Sequence, residues 1–176
     1  MLCNGYDNWS SHLKSMIDNA GLGYILQKTS IQPCDTSCLK QRLSDIYKQN
    51  WNDNMQSNQK LRSYKRFKSN CTLEPYLCNT ENLSARICLS RFRTSNHRLG
   101  IETGRHHNIP VHRRICKFCN SDAIDDESHL LVCQFHNNLR LEYNITNTDL
   151  VYLMTTGLNN NTVNYIYSCF RARGIT

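Results

Sequence analysis

The sequence predicts a mainly α-helical fold, and two observations predict it. Apolar residues recur at a spacing near 3.6 in several separate stretches, as on a helix with one inward face. Asn, Asp and Ser residues able to cap helices precede those stretches. A third observation concerns organisation: Ile115 to Cys133 reads ICKFCNSDAIDDESHLLVC, with three cysteines and a histidine in the order C-x2-C-x9-H-x3-C.

The elements follow in order. Asn8 or Ser10 is placed to cap a first helix carrying His12, Met16 and Ile17 and ending at Asn19-Ala20-Gly21. GLGYILQK, residues 21–28, is short and apolar and fits a strand or a single turn. Pro33 breaks the chain. Asp35 or Ser37 then starts a long helix whose Leu39, Leu43, Ile46, Tyr47 and Trp51 form one stripe. WNDNMQSNQ, residues 51–59, reads as a polar joint. In KLRSYKRFKSN, residues 60–70, Lys60, Arg62, Lys65, Arg66 and Lys68 interleave with Leu61, Tyr64 and Phe67. That pattern predicts a short amphipathic helix whose bases are either a solvated face or a phosphate-contacting surface.

After Pro75, ENLSARICLSRFRTSNH predicts a helix with Leu83, Ile87 and Phe92 inside and Arg86, Arg91 and Arg93 around them. Gly100 and Gly104 interrupt it, so the chain to Pro110 reads as a loop. NNLRLEYNI and DLVYLM read as helices. Thr162 to Arg173 predicts a last helix with Val163, Ile166, Tyr167 and Phe170 on one face. The expected organisation is an N-terminal helical region, 1–81; a basic helix, loop and Cys/His module, 82–140; and C-terminal helices, 141–176, packed on the same body.

The chain has 176 residues, with Lys+Arg 21 against Asp+Glu 14, a formal net charge of +7. That excess favours anionic partners, nucleic acid first among them, although a solubilising surface charge explains it as well. No run is apolar enough to cross a bilayer, and MLCNGYDNWSSHLK lacks the pattern of a secretory signal. The expected setting is intracellular, cytoplasmic or nuclear, and not secreted. Ten cysteines in a reducing compartment are metal ligands or small buried residues rather than disulfides. Cys71, Cys78, Cys88 and Cys169 read as core or neutral positions. Cys34 and Cys38, one helical turn apart, read as helix packing.

The Cys/His constellation is the strongest signal. Zinc takes four N or S ligands in a tetrahedron. The C-x2-C turn lets Cys116 and Cys119 converge, and His129 and Cys133, four apart, share one face of a helix that Asp125 or Asp126 caps. Leu130 and Leu131 are expected to face the core beside the metal. The fold expected is therefore a helical domain with a small CCHC zinc knuckle in its C-terminal half. A complete ligand set makes the site structural, with no open position for a substrate. His106, His107, His112 and His136 are rival ligands if the helix register differs.

The stretch RFRTSNHRLGIETGRHHNIPVHRRICKFCN, continuing through AIDDESHLLVCQF to Arg140, resembles a segment in the C-terminal regions of non-LTR retrotransposon reverse transcriptase polyproteins, their zinc-binding region. Arg91, Arg93, Ser95, His97, Leu99, Ile101, Glu102, Gly104 and Arg105 match its first part. Pro110, Cys116, Cys119, Asp126, Glu127, His129 and Cys133 match its second. Asp125 stands where Glu is usual and Leu130 where Phe is usual. The resemblance is specific over residues 85–140. It implies a module that follows the polymerase and helps hold template RNA or target DNA, with the parent element's reverse transcriptase as a partner. No polymerase metal-binding carboxylate motif is present, so the chain reads as a detached, non-catalytic C-terminal fragment. Arg91, Arg93, Arg98, Arg105, Arg113 and Arg114, with Lys65 and Arg66, are the expected nucleic-acid contacts, since arginine forks suit phosphates and stack on unpaired bases. His97 and Glu102 are expected to hold the intervening loop by hydrogen bonds. No membrane and no small-molecule substrate is implied. Two other functions fit the residues: a zinc module for protein interaction, and an HNH-like nuclease built on His106, His107 and Asn108.

Overall fold

The computed structural model describes residues 8–175. Among them, helices and short 3-10 turns carry the regular structure, and the one extended feature is an isolated antiparallel bridge between Ile115 and Ile124. The mainly helical expectation holds. No helix among the described residues is long and apolar enough to cross a membrane. The chain divides into two compact units between Asn54 and Met55.

In the first unit, α1 (Trp9–Asn19) starts where Asn8 Oδ1 accepts from the Ser11 N–H at 3.0 Å, satisfying one of the free donors of the first turn. It stops before Gly21, whose φ of +75° is the left-handed conformation glycine adopts without a Cβ clash. The 21–28 segment resolves to a 3-10 turn, Gly23–Gln27, around buried Ile25. The next helix, α2 (Pro33–Ser57), begins at the proline rather than beyond it. A first-turn proline lacks only an N–H that has no intrahelical partner. Asp35 is not the cap itself, but its carboxylate accepts from the Gln32 N–H at 3.0 Å and from Lys28 Nζ at 2.6 Å. Helix α2 also runs through most of the expected polar joint, because Asn, Asp and Gln tolerate an exposed helix surface. Its stripe is only half-buried, and Cys34 and Cys38 are exposed, so they do not pack a helix face.

In the second unit, after the last residues of α2, the basic 60–70 stretch forms two 3-10 turns, Gln59–Leu61 and Tyr64–Arg66, in place of a helix. Tyr64 and Phe67 still meet edge to face, with ring centroids 5.7 Å apart. Then come α3 (Pro75–Asn79) and α4 (Leu83–Arg93), the latter capped by Asn82 Oδ1 at 3.1 Å from the Ala85 N–H. Helix α4 is rotated from expectation. Ala85, Leu89 and Phe92 are its buried face, while Leu83 and Ile87 are 56% and 42% exposed. The expected loop after Gly100 is helical as well: α5 (Gly100–His106). Gly104 is required there by packing, since a Cβ would lie 2.6 Å from Arg114 Cγ.

The remaining helices are α6 (Glu127–Val132), α7 (Asn137–Glu142), α8 (Leu150–Met154) and α9 (Asn160–Ala172). Helices α4 and α9 pack along each other and form the spine of the unit. Around them lies one core of Leu89, Phe92, Leu99, Leu130, Leu131, Leu153, Val163, Tyr165, Ile166 and Phe170. Leu130 and Leu131, both fully buried, belong to this core, so α6 is fixed to the body by apolar packing as well as by its other contacts.

Candidate metal centre and the residues around it

Two short local structures bring the four ligands together. The bridge between Ile115 and Ile124 is closed by Cys116 N–H to Ala123 O at 2.9 Å and Asp125 N–H to Arg114 O at 2.8 Å. This narrow hairpin presents Cys116 and Cys119 at its turn. Inside it, the Phe118 N–H points at Cys116 Sγ from 3.4 Å, a contact that stabilises a thiolate. Asp126 then caps α6 by accepting from the His129 N–H at 2.8 Å, which sets the helix register. From that register His129 and Cys133 face the hairpin.

The result is one cluster. The ligand atoms of Cys116, Cys119, His129 and Cys133 all lie within 4.8 Å of one another, close enough to bind a single metal ion. Cys116 Sγ is 3.9 Å from Cys133 Sγ, and Cys119 Sγ is 3.3 Å from His129 Nε2. Cys116, His129 and Cys133 are buried and Cys119 is half-buried. Burial pushes the Cys116 thiol up to about 11. The Ser121 hydroxyl beside Cys119 holds that thiol down, at about 6. Binding a cation deprotonates both outright. None of the rival histidines joins the cluster: His106, His107 and His112 are exposed elsewhere, and His136 is buried in a different contact.

That contact was not foreseen. Arg173, the residue that ends α9, has a side chain with no exposure. Its Nη1 donates to Asp125 Oδ1 at 2.6 Å, its Nε donates to His136 Nε2 at 2.9 Å, and its Nη2 lies 3.7 Å from Cys116 Sγ. The guanidinium sits over the Phe118 ring, 4.7 Å from its centroid. Asp125 also accepts from the Gly100 N–H at 2.7 Å, tying α5 to the same point. Burial and the neighbouring Arg173 charge hold His136 down at about 4, so it is neutral and accepts the arginine's proton donor. On the far side, Arg140 Nη1 donates to the carbonyls of Leu131 and Cys133, each at 3.0 Å, and so satisfies the free carbonyls at the end of α6.

A second buried network lies at the start of α6. Glu127, 2% exposed, accepts from Ser95 Oγ at 2.6 Å and from Arg62 Nη2 at 2.9 and 3.0 Å. The Leu99 N–H reaches His97 Nδ1 at 3.3 Å, which leaves the ring proton on Nε2 to be donated to Glu127 Oε1 at 2.9 Å. Arg62 also pairs with Glu102, whose other oxygen lies 2.9 Å from Arg105 Nη2. His97 and Glu102 thus hold the loop and α5 in place, as the sequence reading expected. The contribution of Arg62 was missed; it read as one more base in a basic run.

Burial raises the Glu127 pKa, but the hydrogen bond and electrostatic attraction of His97, then the Ser95 hydrogen bond and the Arg62 charge, outweigh it and bring it down from 4.5 to about 2. A depressed carboxylate stabilises the fold above its unfolded pKa and ceases to do so as pH falls through the folded value. About 3 kcal/mol is therefore expected to be lost between roughly pH 5 and pH 2. Urea unfolding of the wild type and Glu127→Gln across that range checks it. Acid release of any bound metal is common to both chains, so the difference between them isolates the carboxylate. A constant difference across the range would contradict the prediction.

The candidate nucleic-acid residues separate into two groups. Arg93 is 2% exposed: it donates to Met154 O at 2.8 Å, pairs with Glu74 at 2.8 Å and lies over the Phe67 ring at 4.6 Å. No face of it is left for a phosphate. Arg114 is half-buried and spans the base of α5, donating to Ile109 O and Ile101 O at 2.8 Å each. Lys65 is half-buried, with Nζ 3.2 Å from Gln56 O. Arg66, Arg91, Arg98, Arg105 and Arg113 are exposed, and of these only Arg105 has a carboxylate partner among the described residues. The structure brings Arg91 and Arg98 to one groove. Comparison with protein-family models, with curated proteins and with solved structures returns no match to this chain.

Proposed function

We propose that this chain is a non-catalytic, nucleic-acid-binding module whose second unit is organised by one zinc ion. The observation that carries the reading is the approach of three cysteine sulfurs and one imidazole nitrogen to within 4.8 Å of one another. Zinc–sulfur bonds of about 2.3 Å and zinc–nitrogen bonds of about 2.0 Å in a tetrahedron require S···S near 3.8 Å and S···N near 3.5 Å. Two of the six separations, 3.9 Å between Cys116 and Cys133 and 3.3 Å between Cys119 and His129, are close to those values, and all six lie within 4.8 Å. A set rich in thiolates favours zinc over the hard cations, which take oxygen ligands. With four protein ligands the site has no open position, so its role is structural. The chain has a net charge of +7, and Arg66, Arg91, Arg98 and Arg113 are exposed without a carboxylate partner among the described residues.

The resemblance to the zinc-binding region of non-LTR retrotransposon reverse transcriptases points the same way, to RNA or DNA and to the polymerase of a parent element. A nuclease of the HNH type requires its histidines in a ββα setting around an open metal. His106 and His107 instead lie at the end of α5, on the surface. A protein-interaction module remains a second reading, and one observation favours it: Phe118 and Phe135 are 37% and 46% exposed beside the centre, their rings 5.2 Å apart.

Metal analysis and gel shifts at two salt concentrations test the proposal. The wild type is expected to carry about one zinc per chain and to bind RNA or DNA with an affinity that falls steeply with salt. Cys119→Ser is expected to lose the zinc. Zinc-loaded, folded protein that binds neither strand at low salt overturns the nucleic-acid reading. A salt-insensitive association with protein would support the second one.

A further inference from the structure

The exposed arginines do not lie on a flat basic surface. Arg91 of α4 and Arg98 of the following loop stand at a groove of about 770 Å³, to which α5 and α9 also contribute. Among the described residues, neither guanidinium has a hydrogen-bond or ion-pair partner, and no Asp or Glu lines the groove. Its apolar part is aromatic and aliphatic: half-buried Tyr167 and buried Phe170 from α9, and Ile87, 42% exposed, from α4. His106 closes the α5 side. The rotation of α4 that leaves Ile87 out of the core is what puts it here. Arg171 lies over the Tyr167 ring, 5.9 Å from its centroid, adding a further positive charge beside it.

We propose that this groove binds single-stranded nucleic acid, with an unpaired base against Tyr167 and Ile87 and its flanking phosphates on Arg91 and Arg98. The inference rests on the nucleic-acid reading above and narrows it to a substrate class. Positive charge without a carboxylate selects a polyanion. An apolar, tyrosine-bearing floor selects a ligand with a flat apolar face, and in nucleic acids that face is available only where bases are unstacked. A duplex presents phosphates to the same arginines but keeps its bases away from the floor. The volume is that of sites that enclose a small organic molecule, which suits a nucleotide unit.

Fluorescence anisotropy with the zinc-loaded chain tests it, using a labelled mixed-sequence single strand and the matching duplex at low salt. Tyr167→Ala is expected to weaken single-strand binding about tenfold, a loss typical of one base–aromatic contact, and to leave duplex binding unchanged. Tyr167→Phe is expected to restore it. Arg91→Gln with Arg98→Gln is expected to weaken both ligands and to reduce the salt slope by roughly 1.5. Should Tyr167→Ala lose its fold by circular dichroism, Ile87→Ala, at an already exposed position and with no change of charge, carries the same test. Folded variants that bind the single strand as the wild type does overturn the groove and leave the nucleic-acid reading standing. Absence of any nucleic-acid binding by the wild type overturns both.

Discussion

Arg173→Leu is expected to destabilise the second unit by about 3–5 kcal/mol, the cost of leaving a buried carboxylate without its partner. Asp125 is 7% exposed and Arg173 supplies its one ion pair among the described residues. The loss also strips His136 Nε2 of its donor and removes positive charge 3.7 Å from Cys116 Sγ. Three thiolates around a divalent ion carry more negative charge than the ion neutralises. A buried guanidinium beside them offsets that excess, and contacts of this kind commonly alter metal affinity about 10–100-fold. Two readouts are therefore expected to move together: a lower denaturation midpoint and faster transfer of zinc to a competing chelator. Arg173→Lys is expected to fall between, because a lysine keeps the charge but cannot point donors at Asp125, His136 and Cys116 at once. Arg113→Ala, at an exposed position, is expected to change stability by less than about 0.5 kcal/mol. A leucine variant as stable as the wild type, and holding its metal as tightly, would show that α9 does not brace the centre.

The contrast between Arg173 and the ligands themselves explains what the sequence could and could not reveal. Cys116, Cys119, His129 and Cys133 were legible because their geometry is local: a tight turn fixes the first pair and a helical turn fixes the second. The cap was legible, as Asp125 or Asp126, for the same reason, and Asp126 fills it. Arg173 acts across 48 residues on Asp125 and across 57 on Cys116, and no spacing rule reaches that far. Arg62 reaches Glu127 across 65 residues in the same way. It lies in a run of bases that by composition suggests a solvated or phosphate-facing surface, yet it is folded inward against two carboxylates.

The helices show a related division. Those with a strong stripe and a side-chain cap, α1 and α9, fall within two residues of expectation. Glycine misled the reading at α5, where Gly100 and Gly104 suggested a loop. They are there because Asp125 and Arg114 pack so closely against them that a Cβ would intrude. In α4 the apolar residues are too many for one face. Leu83 and Ile87 competed with Ala85 and Leu89 for the inner side, and only packing against α9 decides between them. The same ambiguity hid Arg93: at the end of a basic helix it reads as a phosphate contact, and its burial against Glu74 and Phe67 depends on partners 19 and 26 residues away.

Cys133→Ser is expected to abolish zinc loading and to lower stability by several kcal/mol, yet to leave most of the helical signal in place. Zinc binding contributes roughly 10–16 kcal/mol in finger peptides that have little else to hold them. Here the module has a second attachment. Leu130 and Leu131 are fully buried in the common core and contribute about 2 kcal/mol each by area. Glu127 is also held by Ser95, His97 and Arg62. The hairpin is anchored at its base, through Asp125 to Arg173 and Gly100 and through Arg114 to Ile101, but its turn, residues 117–123, has no buried apolar side chain. Ile115 and Phe118 are exposed, and its backbone contact with itself is a single bridge. Loss of the ion is thus expected to open residues 117–123 first and to spare α4 and α9. Hydrogen exchange read by peptide should show protection falling across the hairpin while the peptides of α4 and α9 change little, with a midpoint lower by about 10 °C. A variant whose whole helical signal collapsed would mean that the metal, not the α4–α9 core, carries this unit. Unchanged exchange across the hairpin would mean that the four ligands are brought together by the fold alone, with no ion required.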